Sequence, residues 1–254
     1  MRGFDLRIVI ESLPLLLRGA LVTVEVSILG LLLAAVIAVP VAYGRLSRWR
    51  LLRAVTFLYL DVVRGTPLLL QLFAVFYLPP LIGLDLSPFV SGVLALGLNG
   101  GAYTSEILRG GIRALPPGQT ESSRALGMSA LQCARRIVLP QVVVSVLPAL
   151  ANETAALIKA SSLVSALALV ELTRVGYQVV SRVLRPTEIY VTVGAMYLAM
   201  NALVGFGAGA PSAGSALPAE RSPCRSSTGR SSAGTAPASC RARRRPSPCP
   251  SCRR

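Results

Sequence analysis

The chain has 254 residues, 53% of them hydrophobic and 15% charged, with a mean hydropathy of +0.61 and no histidine. That is too little charge to coat a soluble globule of this size, so much of the surface calls for lipid; histidine-based catalysis and metal ligation are excluded. The net charge of +15 divides at Val204 into +7 before it and +8 in a short tail after it. Before Val204 the basic residues sit in short loops between apolar runs, a membrane-topology pattern that argues against nucleic-acid binding.

In chain order, residues 1–18 are expected to form an N-terminal extracytoplasmic segment, and 19–206 a transmembrane domain. The first apolar run, 19–43, contains one ionisable residue, Glu25, and lacks the small-residue cleavage site of a signal peptide, so it reads as a retained helix. Further spans are expected over 55–78, 88–107, 141–169 and 189–206, giving an all-α, polytopic membrane protein of about five transmembrane helices. The fourth run contains Pro148, Asn152, Glu153 and Lys159 and is expected either as one span or as two shorter helices with a break.

Arginine counts in the short loops set the orientation. Four arginines follow the first span (Arg45, Arg48, Arg50, Arg53) and five follow the third (Arg109, Arg113, Arg124, Arg135, Arg136), whereas Pro79 to Ser87 holds none. By the positive-inside rule the first and third loops are cytoplasmic, the N-terminus outside and the C-terminus inside. Arg174, Arg182 and Arg185 run against this rule, since they fall on the expected outer side.

The cytoplasmic segment 116–140 is too polar to span. Pro116, Pro117 and Gly118 make a turn, a helix is expected from about Thr120 to Leu126, and Gly127 closes it in the left-handed conformation. Ser129 and Gln132 fit a capping box opening a second helix that ends before Pro140. The product is a helix-glycine-helix elbow. Glu121-Ser122-Ser123, then Gly127, then Ile137-Val138-Leu139-Pro140 closely resembles the EAA loop of ABC-transporter permeases, with two serines where that family usually has alanines. The stretches Arg64 to Phe73, Gly101 to Ile112 and Lys159 to Leu163 resemble the permeases of polar amino acids of the histidine, glutamine, glutamate, arginine and opine type.

This resemblance covers roughly residues 10–204 and implies a type I importer permease of the bacterial inner membrane, forming the translocation path for a polar amino acid. It implies as partners an ATP-binding subunit, an extracytoplasmic solute-binding protein, and a second copy or sister permease. The coupling residues would be Glu121, Ser122, Ser123, Ala125, Gly127, Leu139 and Pro140. The only lysine, Lys159, stands in no phosphate-binding loop, so the chain is not an enzyme, needs no cofactor of its own, and leaves ATP hydrolysis to its partner. Polar groups at membrane depth default to functional candidates, here Asn99, Asn152, Glu153 and Lys159 for the substrate path, with ion pairing inside the protein as the competing role. Glu25 has no assigned role. An ion-coupled secondary transporter would also use such charges, but it has no ATPase for the elbow to engage.

From about Gly205 the composition turns to Gly, Ala, Ser, Pro and Arg, and 207–254 is expected to be a disordered basic tail. Its Cys249 and Cys252 have no second pair at zinc-finger spacing, and no metal is expected. The family pattern is lost there, and a frame-shifted, non-functional copy is the remaining alternative.

Overall fold

The computed structural model describes residues 5–207, and among these all regular elements are helices. The expected tail, with Cys224, Cys240, Cys249 and Cys252, lies outside the described residues beyond Gly207.

Helix α1 (Leu6–Leu46) is capped by Asp5, whose carboxylate accepts from the Arg7 N–H at 3.1 Å. Its 41 residues measure about 60 Å, roughly twice a hydrocarbon core. The span expected over 19–43 is therefore the middle of a longer helix, and the segment assigned to 1–18 is helical from Leu6 onward. Charges at Arg7, Glu11 and Arg18 hide that stretch from a search for apolar runs; Arg7 and Glu11 pair one turn apart at 2.9 Å.

The second pass is not one helix. α2 (Arg50–Gly65) and α3 (Leu68–Tyr77) meet at Thr66 and Pro67 with a bend of 109°. Proline removes the ladder N–H and pushes its predecessor out of the helical region, and Thr66 is extended at φ −114°, ψ 146°. A 3₁₀ turn (Pro79–Ile82) closed by Gly83 leads to α4 (Pro88–Ala114), which Ser87 caps through Val90 N–H.

Packing fixes the directions of the passes. Glycines of α4 and α1 meet in ascending order: Gly97 against Leu33, Gly100 against Ala34, Gly101 against Ile37, and finally Arg45 against Glu106. The two helices therefore run parallel, joined by a seam of Gly30, Leu33, Ala34 and Ile37 facing Leu96, Gly97, Gly100 and Gly101. Small residues let backbones approach where lipid offers no hydrophobic drive to associate.

After α4 come α5 (Pro117–Ala125), α6 (Ala130–Cys133), a π-helical turn (Ala134–Val138) and α7 (Leu139–Ala160). The second elbow helix was expected to end before Pro140; instead the chain stays helical through it. Pro140 sits in the first turn of α7, where the wide π turn precedes it and its missing N–H is least costly. α7 returns antiparallel to α4, with Val142 and Val146 at Gly111, Leu157 at Gly100 and Val164 at Gly92. Pro148 does not break it; the change comes at Ser161, where a 3₁₀ segment (Ser161–Leu167) ends on Ala168 in the left-handed region at φ 61°.

A twelve-residue amphipathic helix, α8 (Leu172–Val183), then precedes the last pass, α9 (Pro186–Gly207). α1, the 131–167 stretch and α9 are long and apolar enough to cross a membrane, and the bent pair α2–α3 counts as a fourth pass. The 27-residue α4 is the most polar of the five and is sheathed by α1 and α7. Bare apolar side chains such as Leu21, Val36, Leu198 and Leu203 face outward, as contact with lipid requires.

A methyl group on Gly97 would stand 2.8 Å from Leu33 Cβ, too close to the backbone for a side chain to swing away, whereas one on Gly194 meets nothing within 4 Å. Gly97→Ala should destabilise the detergent-solubilised protein by about 1–3 kcal/mol. Gly194→Ala should leave its melting temperature unchanged or slightly raised, as thermal unfolding of the two variants side by side would show.

Candidate functional site

Two sites stand out, an elbow outside the bundle and a polar groove along α4. In the elbow, α5 ends as expected: Gly127 adopts φ 73°, its N–H donates to Arg124 O at 2.9 Å, and Met128 N–H reaches Ser123 O at 3.1 Å. These bonds satisfy carbonyls that a helix end would leave bare. The capping box forms in both directions, Ser129 N–H to Gln132 Oε1 at 2.9 Å and Gln132 N–H to Ser129 Oγ at 3.3 Å.

The expected coupling residues take distinct places. Ser123 is buried, its hydroxyl 2.8 Å from Thr120 O and 2.9 Å from Cys133 Sγ, so it ties α5 to α6. Glu121, Ser122, Ala125 and Gly127 are exposed, and Leu139 and Pro140 begin α7. The structure adds Leu126 and Leu131, 80% and 68% exposed, as an apolar apex on a firmly capped turn. Their signal in the sequence was an apolar residue on each side of a cap, which reads equally well as core.

Along α4, a groove of about 170 Å³ is walled by residues that include Asn99, Tyr103, Glu153 and Ala156. Of the four residues expected on the substrate path, Asn99 and Glu153 are brought together here. Asn152 and Lys159 are exposed on α7 and do not line it. Gln71, absent from the sequence-based set, accepts a hydrogen bond from Asn99 Nδ2 at 3.1 Å. Its own amide donates across the α2–α3 break to Val63 O at 2.6 Å and to Thr66 O at 3.0 Å. Glu25, near the middle of α1 and about 30 Å along it from Arg45, lines a separate pocket with Ser87, Phe89 and Ala168.

At the elbow end Glu106 grips Arg109 with both oxygens, at 2.6 and 2.9 Å, and Arg45 at 3.7 Å. In the connection between the fourth and fifth passes, Glu171 is buried and caps α8. It accepts from Thr173 and Arg174 N–H at 2.9 Å each, from Tyr197 Oη at 3.0 Å and from Thr23 Oγ1 at 3.3 Å. Three elements, α1, α8 and α9, thus meet on one carboxylate. Among the described residues no group of acids and cysteines could hold a metal ion.

The sequence profile described as "Binding-protein-dependent transport system inner membrane component" matches residues 28–210. The chain belongs to that family. The permease is 39% identical over 210 residues to the nopaline transport system permease protein of Agrobacterium fabrum, covering 79% of this chain and 87% of the relative. It is 32% identical over 205 residues to the glutamine transport system permease protein of Escherichia coli, covering 80% and 94%. Its fold superposes on the crystal structure of an amino acid ABC transporter with histidines at a TM-score of 0.75 and 31% identity, covering 82% of this chain and 97% of that one. The permease is accordingly a transport subunit and not an enzyme, with hydrolysis left to a separate ATP-binding subunit, and the membership favours an ATP-driven importer over an ion-coupled one.

Burial pushes the Glu171 carboxyl above its ordinary value of 4.5, and the hydrogen bonds it accepts offset this only in part. A raised carboxyl favours the protonated folded state, so its contribution is fully present below about 4.5 and is lost as pH rises through the folded value. Melting curves of the solubilised permease should show stability gained on acidification from neutral toward pH 4.5, and Glu171→Gln should remove that component. Equal pH slopes in the two proteins would refute it.

Proposed function

We propose that this chain forms the membrane path for a polar amino acid or an amino-acid-derived solute, driven by an ATP-binding subunit that docks on the elbow. The observation that carries this reading is the apolar apex, Leu126 and Leu131, held out from the bundle on a turn whose backbone bonds and capping box are all made. Exposed leucines on a rigid polar hairpin suit a hydrophobic cleft on a partner. Glu121, Ser122 and Ala125 would surround the contact, with Ser123 and Gly127 holding its shape and Leu139 and Pro140 passing it into α7.

The relatives named for nopaline and glutamine support a polar amino-acid substrate, and the groove offers matching chemistry: the Asn99 amide and the Glu153 carboxylate facing one space in an otherwise apolar wall. A solute-binding protein would deliver the substrate on the side of the bundle away from Arg45 and the elbow. Asn152 and Lys159, polar and bare on α7, need cover within the membrane, which a second copy or a sister permease would provide.

The arginine-rich turn 45–53 and the elbow share one end of the bundle, which the positive-inside rule makes cytoplasmic, with the N-terminus outside and the C-terminal end of α9 inside. Two of the three arginines that run against the rule are engaged locally: Arg185 pairs with Glu188 at 3.1 Å, and Arg174 lies over the Tyr177 ring. The permease needs no cofactor of its own.

Reconstitution into proteoliposomes with an ATP-binding subunit and a solute-binding protein tests the proposal through uptake of labelled amino acids. Gly127→Asp should leave membrane insertion intact and lower uptake by roughly tenfold or more while ATP is still hydrolysed. Glu153→Gln should lower uptake without changing recovery of the ATP-binding subunit. Full uptake in Gly127→Asp would remove the elbow from the mechanism.

A further inference from the structure

The groove holding Asn99 and Glu153 shares a wall residue with a neighbouring space. Next to it, toward the elbow end, lies a second and larger cavity of about 350 Å³, lined by residues that include Arg45, Asp61, Arg64 and Glu106. One residue lines both spaces, Tyr103, which is four residues after Asn99 and three before Glu106, on the same face of α4. Over its ring, 5.4 Å from the centroid, sits the guanidinium of Arg64.

The charges around this second cavity are not equivalent. Arg45 and Arg109 are held by Glu106. Asp61 and Arg64, one turn apart on α2, make no ion pair within 4.0 Å among the described residues; the Asp61 carboxylate and the Arg64 guanidinium, the latter stacked on Tyr103 and in the field of Glu106, line the same space. Arg64 is also the last-but-one residue of α2, directly before the 109° break.

We propose that the Tyr103–Arg64 stack is a gate between the mid-membrane groove and a charged exit vestibule, and that the vestibule receives a zwitterionic amino acid between Arg64 and Asp61 as it leaves. A guanidinium over a tyrosine is strong enough to bias a passage closed and weak enough to part thermally. The vestibule's two opposite charges match the carboxylate and ammonium of such a solute, which would otherwise lose its hydration with nothing in exchange. This rests on the groove being the substrate path.

The test places a cysteine in the groove wall, Ala156→Cys, in a chain whose Cys133, Cys224, Cys240, Cys249 and Cys252 are changed to serine. The assembled transporter in inverted membrane vesicles is exposed to a membrane-impermeant, permanently charged methanethiosulfonate. Tyr103→Ala and, independently, Arg64→Gln should each speed labelling from the elbow face about fivefold, as expected for the loss of one such contact, while Tyr103→Phe, which keeps the ring, stays near the parent rate. An unchanged rate in both Tyr103→Ala and Arg64→Gln, or a Tyr103→Phe rate as fast as Tyr103→Ala, would overturn the gate. The readout uses neither substrate nor ATP, so it decides the gate even if reconstitution shows that the transported solute is not an amino acid.

Discussion

The close approach of α1 and α4 is the contact on which the other elements depend. In water, burial of large side chains would supply such a seam; in lipid, which is as apolar as leucine, van der Waals contact between backbones brought close by small residues must do so. Gly30, Ala34, Gly97, Gly100 and Gly101 provide it, and α7 then packs on the same α4 face through Leu157 and Val146. Polar fastenings hold α1 at two levels: near its C-terminal end Arg45 shares Glu106 with Arg109, and near its middle Thr23 joins Glu171, which Tyr197 also reaches.

Much of this was legible in the sequence because it rests on local rules. Gly127 in the left-handed region, the Ser129–Gln132 capping box and five passes of alternating direction follow from turn chemistry, capping and hydropathy, which act within a few residues. What escaped depends on tertiary partners. The break at Thr66 and Pro67 passed unnoticed because the run 55–78 has no polar residues beyond Thr56, Asp61, Arg64, Thr66 and Gln71 and its tyrosines, and a single proline is tolerated in membrane helices. α8 was hidden in an expected outer loop, since a twelve-residue helix with one buried stripe looks too polar to span and too short to notice.

Gln71 shows why the groove was only half readable. A break in a membrane helix leaves carbonyls with no water to satisfy them, and the Gln71 amide answers two of them while its oxygen takes the Asn99 amide. One side chain thus repairs the backbone and positions a groove residue 28 places away in sequence. Asn99 and Glu153 could be singled out as costly polar groups, but not separated from Asn152 and Lys159. That distinction depends on the rotation of α7 about its axis, and Glu153 is turned inward while its neighbour Asn152 is bare.

The π turn before α7 gives the molecule a drive shaft. From Ala130 to Ala160 the chain is helical without a loop, so the second helix of the elbow and the fourth pass form one continuous helical body, which the Gly127 turn joins to α5. From Pro140 to Glu153 that body spans about 20 Å. A displacement of α6 would therefore be carried along that body toward Glu153, which lines the groove.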